Sequence, residues 1–261
     1  MAPASDGFFK AQGARLEYQY WCGDENTTLV LLHEGLGCLD LWRDVPEKLN
    51  AATGCPVLAY SRAGYGRSDR AGIPRSPMYM HDEALKVLPT VLDQAGVERP
   101  LLVGHSDGAS IALIYAGSEF ADRLVGVSTL APHVFVEDCT LDGIRAARGA
   151  YLTSALRDRL MRYHGERVDN AFWGWNQIWL SSTFRDWNIE ACLPNVRVPV
   201  QVIQGLDDAY GTLEQLQKME SGLTQPLEQH VFDRCGHAPH RDRSDETFEA
   251  IIRFVALCEQ Q

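Results

Sequence analysis

The chain has 261 residues, enough for one large domain that buries roughly three quarters of its unfolded surface without disulfide or metal staples. Its 45% hydrophobic and 23% charged residues are an ordinary globular mix, and a net charge of −11 argues against nucleic acid or an anionic membrane as partner. Seven scattered cysteines without a CxxC pair, no apolar run approaching the roughly 18 residues of a membrane span, and an opening "MAPASDGFFK" without a signal-peptide core point to a reducing cytoplasm.

Taken in chain order, "GFFKAQGARLEYQYW" alternates about Gly13 and predicts an antiparallel hairpin at a sheet edge. "TTLVLLH" (27–33) and "PVLAYS" (56–61) are nearly continuous apolar runs, the pattern of parallel strands covered on both faces. A glycine-rich loop follows each of them. The helix expected after Met80 carries Leu85, Leu88 and Leu92 on one face, with Pro89 predicting a kink or broken turn. "PLLVGHS" (100–106), "LVGVSTLAP" (124–132) and "PVQVIQG" (199–205) are three more apolar strands, and "ASIALIYA" after the first of them is helical. From 134 to 195 the alternation lapses into helical stretches without a strand. The last helix places Phe248, Ile251, Ile252, Val255 and Ala256 on one face, with Ser244 and Asp245 as its expected N-cap.

These elements predict an α/β fold: a mostly parallel central sheet with helices on both faces and an N-terminal antiparallel hairpin. Residues 1–133 and 196–261 form the expected core, and 134–195 a helical lid over the carboxyl ends of the strands.

"Gly104-His105-Ser106-Asp107-Gly108" has the form G-x-S-x-G between a strand and a helix. The glycines permit a sharp turn that forces the serine out above the sheet. A serine hydroxyl needs a base, and the base an orienting acid. Asp207 and Asp208 just past a strand, then His237 after the next strand on a glycine-hinged loop, supply both in the order such a fold requires. The triad logic does not choose between the adjacent carboxylates. His240 is the second choice of base, and His105 is expected to point away as a structural residue. His33, His81, His133, His164 and His230 have no motif around them, although His133, just after a strand, is a candidate for the pocket wall.

End to end, the chain resembles the α/β-hydrolases, in their serine esterase or lactonase-like branch, through "HEGLG", "SRAGYGRSD", "GHSDG", "GLDD" and "GHAPH". The family's G-x-x-D and G-H patterns imply Ser106, Asp208 and His237 as the triad. An oxyanion hole of two backbone N–H groups is implied at Asp107, where a helix begins, and in the "HEGLG" loop at Gly35, with Leu36 second. Glu34 stands where the family usually has glycine, and Ser61 where it usually has aspartate. Glu34 is expected to turn aside and hold its loop, and the Asp107 carboxylate to complement the helix dipole. The 61–68 loop, with Arg62 and Tyr65, is assigned a structural role.

The most aromatic segment, 171–179, sets Trp175 and Trp179 four apart on one helical face. Lid-to-core packing is the ordinary role of such a stripe; facing the pocket with His133, it would suit an aryl or alkyl group. No cofactor or metal is expected. The expected activity is hydrolysis of a small, largely apolar ester or lactone through an acyl-enzyme. Two alternatives are carbon–carbon hydrolysis of an aromatic ring-fission product and a slow-turnover binding or signalling protein. Against the former, such family members resemble G-N-S-x-G at the turn, and here His105 replaces the Asn.

Overall fold

β3 (Thr28–Leu32) is apolar throughout because both of its faces are covered: Val30 and Leu32 enter one core layer, Leu29 and Leu31 the other. This strand lies at the middle of an eight-stranded sheet in the computed structural model, which describes residues 3–260. The other strands are β1 (Ser5–Ala11), β2 (Ala14–Trp21), β4 (Val57–Tyr60), β5 (Pro100–His105), β6 (Gly126–Leu130), β7 (Val200–Gly205) and β8 (Leu227–Phe232). Their order is β1-β2-β4-β3-β5-β6-β7-β8. β1 pairs antiparallel with β2, turning at Gln12 and Gly13, and β2 antiparallel with β4; every later pairing is parallel. The α/β class and the edge hairpin match the expectation.

Helices cover both faces. α1 (Val45–Thr53) and the final helix (Ser244–Glu259) supply Val45, Leu49, Ile251, Phe254 and Val255 to one layer. The other layer is built by α2 (Tyr79–Asp82), α3 (Leu88–Ala95) and α4 (Asp107–Ala116), all of whose residues are buried in the case of α4. The break expected at Pro89 is a π-type turn over Glu83–Val87, after which α3 restarts with proline in its first turn. Proline has no N–H to donate and crowds the carbonyl four residues back, so the widened turn accommodates it.

Between β6 and β7 run α5 (Asp138–Thr153), α6 (Leu156–His164) and α7 (Val168–Trp179), with short 3-10 turns after them and one isolated bridge, Phe135 to Asn188. α8 (Glu214–Gly222) follows β7, and α9 (Pro239–Asp242) leads into the final helix, α10. The expected cap on α10 is corrected: Ser244 is already helical, and Arg243 is the N-cap, its guanidinium reaching forward to the Glu246 carboxylate. Among the described residues no helix is long and apolar enough to cross a membrane.

The parallel strands all end on one edge. There β3, β5, β7 and β8 deliver the loops that carry residues 33–37, Ser106, Asp208 and His237.

Candidate active site

Ser106 sits between β5 and α4 at φ +53°, a left-handed value that costs a side-chain-bearing residue of order 1–3 kcal/mol. The turn closes because its glycines admit neighbouring backbone. A β-carbon on Gly104 would lie 2.6 Å from Ala109 Cα, and one on Gly108 would lie 1.9 Å from the Leu32 carbonyl oxygen. Helix α4 thus rides directly against its own strand and against β3. The Ser106 N–H donates to the Leu130 carbonyl at 2.9 Å, fixing the turn to β6. Asp107 opens α4, so its amide has no acceptor within the helix.

Of the two adjacent carboxylates, Asp208 is the one against the imidazole. His237 Nδ1 lies 2.9 and 2.8 Å from its two oxygens, while Asp207 is exposed. Asp208 also accepts from Gln204 Nε2 at 2.8 Å and from the Tyr210 amide at 2.8 Å, a local Asx-type turn. Burial pushes the Asp208 carboxyl upward, and His237 with the Tyr210 amide outweighs it, so the group rests below the usual carboxylate range. A carboxylate only accepts, so Nδ1 carries the proton, and in the neutral ring Nε2 is then the nitrogen with the lone pair. No hydrogen bond joins Nε2 to Ser106 Oγ among the described residues. The two side chains meet as walls of one cavity.

That cavity, of about 100 Å³, is lined by Ser106, Asp107, His237, His133, Glu34, Gly35 and Leu36 from the sheet edge. Thr140 and Ile144 from α5, Trp175 and Trp179 from α7, and Tyr210 close it. The cavity therefore gathers the residues singled out from the sequence for triad, oxyanion hole and pocket except Asp208, which stands against His237 without lining it. Sequence reasoning missed Tyr210, Thr140 and Ile144. Tyr210, two residues past Asp208, was within reach of motif logic; the other two sit on a helix whose inward face only the tertiary structure defines.

The loop after β3 is a tight turn. The Gly37 N–H donates to the Glu34 carbonyl at 3.0 Å, leaving Gly35 and Leu36 in the middle, their amides unused by the turn. Arg62, buried, donates to the carbonyls of His33 at 3.1 Å and Glu34 at 2.8 Å, while its own backbone N–H donates to His33 Nε2 at 3.0 Å. His33 Nδ1–H in turn donates to the Glu34 carbonyl, consistent with burial and Arg62 holding this histidine neutral.

Two expected side-chain placements, those of Asp107 and His105, are corrected. The Asp107 carboxylate serves more than a helix dipole: it is buried 3.6 Å from Arg62 and accepts from Tyr79 Oη at 2.7 Å. Tyr79 Oη in turn accepts from Trp179 Nε1 at 3.0 Å. His105 does not point away from the site. Its Nε2 lies 2.6 Å from the His237 carbonyl, and its Nδ1 lies 3.5 Å from Glu34. His164, on α6, is buried between two loops, accepting from the Gly66 amide and donating to the Leu36 carbonyl, both at 3.0 Å. Burial, reinforced by His237, pushes His133 down to about 3, so it is a neutral wall residue.

The description "Alpha/beta hydrolase family" fits the family model that matches residues 29–250. A 2-hydroxy-6-oxononadienedioate/2-hydroxy-6-oxononatrienedioate hydrolase of Paraburkholderia phymatum is 28% identical, over 89% of this chain and 88% of its own length. An esterase from Exiguobacterium antarcticum superposes with a TM-score of 0.74 at 18% identity, covering 98% of this chain and 100% of the other. The enol-lactonase from Burkholderia xenovorans LB400 gives 0.72 at 18% identity, covering 96% and 100%.

Proposed function

The chain belongs to the alpha/beta hydrolase family, and we propose that it is a serine hydrolase cleaving a small, largely apolar carboxylic ester or lactone through an acyl-enzyme. One observation carries this reading. His237 is oriented by Asp208 with its free nitrogen left for the cavity it shares with Ser106, itself held in a strained turn at a helix N-terminus.

In the proposed reaction His237 Nε2 takes the Ser106 proton as Oγ attacks the carbonyl carbon. Negative charge moves onto the carbonyl oxygen, where the Asp107 amide and the Gly35 amide, or in second place that of Leu36, donate to it; one such donor is commonly worth ~10²–10³ in rate. The alcohol departs with the proton from Nε2. Water then attacks the acyl-enzyme, with His237 again as base, and the carboxylate product leaves. The insertion at 134–195 acts as the lid, supplying Thr140, Ile144, Trp175 and Trp179 to the acyl pocket.

The cavity wall supports a neutral substrate. It is mostly aliphatic and aromatic, no lysine or arginine lines it among the described residues, and Glu34 and Asp107 both do. The second reading, carbon–carbon hydrolysis, draws on the full-length likeness to the Paraburkholderia phymatum hydrolase, whose name specifies a dioate. A dianion would meet no cationic side chain here, which favours the ester reading.

The test is labelling with a fluorophosphonate probe alongside a panel of p-nitrophenyl esters of varied acyl length. The expected result is labelling and turnover that both vanish in Ser106→Ala. Undiminished labelling or turnover in that variant would overturn the proposal.

A further inference from the structure

Glu34 departs from the usual glycine of its family, and its side chain is built into the site. A β-carbon on Gly37 would lie 2.2 Å from Glu34 Oε2, so the absence of a side chain at 37 is what seats this carboxylate. From that seat Oε2 lies 3.5 Å from Nδ1 of His105, while Oε1 lies 3.9 Å from the Arg241 guanidinium. His105, almost wholly buried, points its other nitrogen at the His237 carbonyl, 2.6 Å away. No other hydrogen bond reaches that carbonyl among the described residues.

We propose that Glu34 and His105 are positioning residues, a second carboxylate–imidazole pair that locks the backbone of His237 to the oxyanion turn. The proposal rests on the reading of His237 as the base.

The atoms decide how the pair works. A carbonyl only accepts, so His105 Nε2 must carry a proton. The Glu34 carboxylate beside Nδ1 and the His237 carbonyl beside Nε2 hold the ring from both sides. The groups facing His105 are Glu34 from the turn after β3, His237 at 5.3 Å between ring centres, and His240 from α9 at 4.9 Å. Arg241 stands behind Glu34. Burial works to raise the Glu34 carboxyl, and His105 together with Arg241 more than offsets it, so Glu34 stays ionised.

The same residue holds the other half of the machinery. The Glu34 backbone carbonyl closes the turn bearing Gly35 and Leu36 and takes the Arg62 guanidinium. One residue thus ties the turn that receives the oxyanion to the loop that carries the base, fixing their separation.

The experiment compares Glu34→Gln, Glu34→Ala, His105→Leu and His105→Gln with wild type and His237→Ala. It measures kcat and KM for p-nitrophenyl butyrate, melting temperature, and the far-downfield proton resonance of the His237 Nδ1–H bond. Losing the contacts that fix the His237 backbone is expected to lower kcat about 10- to 100-fold in Glu34→Ala and His105→Leu, with KM nearly constant and the resonance shifted or broadened. Glu34→Gln is nearly isosteric and keeps an oxygen facing Nδ1; it and His105→Gln should recover part of the loss. Wild-type kcat and an unmoved resonance in folded Glu34→Gln and Glu34→Ala, with His237→Ala inactive, would overturn the pair while leaving the base in place. An active His237→Ala would instead remove the reading beneath it.

Discussion

Trp175 occupies the space that a side chain on Gly35 would need: a β-carbon at residue 35 would lie 2.2 Å from the indole Nε1. The turn proposed to receive the oxyanion and the helical insertion are therefore in contact at a position where only a hydrogen fits. Gly35→Ala is expected to push the turn out of line and lower kcat about 10²–10³-fold, the worth of one misplaced oxyanion donor. The double variant Gly35→Ala/Trp175→Ala, which clears the space, should regain much of that loss. Steady-state kinetics on both variants checks this, and a Gly35→Ala enzyme with native kcat would refute it.

Asp208 and Asp207 give a paired control within one dipeptide. Asp208→Asn presents an amide to His237 Nδ1 and disturbs the tautomer that leaves Nε2 free, so kcat is expected to fall on the order of 10⁴-fold. Asp207→Asn alters an exposed side chain and should keep native kcat. Equal effects in the two variants would remove Asp208 from the proposed triad.

Substrate charge should matter in a stated direction. At an effective dielectric of about 20, a carboxylate roughly 5 Å from Glu34 meets about 3 kcal/mol of repulsion. A p-nitrophenyl ester bearing a terminal carboxylate on its acyl chain is therefore expected to show kcat/KM at least tenfold below its neutral isostere. A preference for the anionic ester would instead favour the dioate-type chemistry named for the bacterial relative.

The buried histidines predict acid sensitivity. His133 is pushed from its ordinary 6.5 to about 3, chiefly by burial, and burial lowers His33, His164 and His240 in the same sense. Between those two values the unfolded chain binds a proton that the native chain refuses. Stability is therefore present above about 6.5 and declines as pH falls toward 3, by up to about 1.4 kcal/mol per pH unit for each proton. Urea denaturation at pH 7 and pH 5 should show the drop, and His133→Asn should flatten it; a pH-independent midpoint would be the contrary result.

The sequence is most informative where a local rule has a tertiary cause. Strands such as β3 read clearly because burial on both faces demands unbroken apolar runs. Pro89 announced its broken turn because a missing N–H acts on its own helix. β8 was legible only as the strand that must precede His237: as an edge strand it is half-buried and mixed in polarity. Ser106, Asp208 and His237 stood out because glycines flank or precede them in recognisable patterns. What stayed hidden was contact between distant side chains. Nothing local to Tyr79 says that it bridges Trp179 and Asp107, and nothing local to His105 says that its ring reaches residue 237.

His164 has one consequence for how a molecule gets in. Both nitrogens of its ring are engaged, one with the Gly66 amide and one with the Leu36 carbonyl, so the end of α6 is pinned to two separate loops of the core. Swinging the helical segment outward like a flap would strip a buried imidazole of both partners at once. Admission by rotation of the half-buried Leu36 and Tyr210 side chains asks for neither break, so the doorway is better pictured as a turnstile of side chains than as a hinged cover.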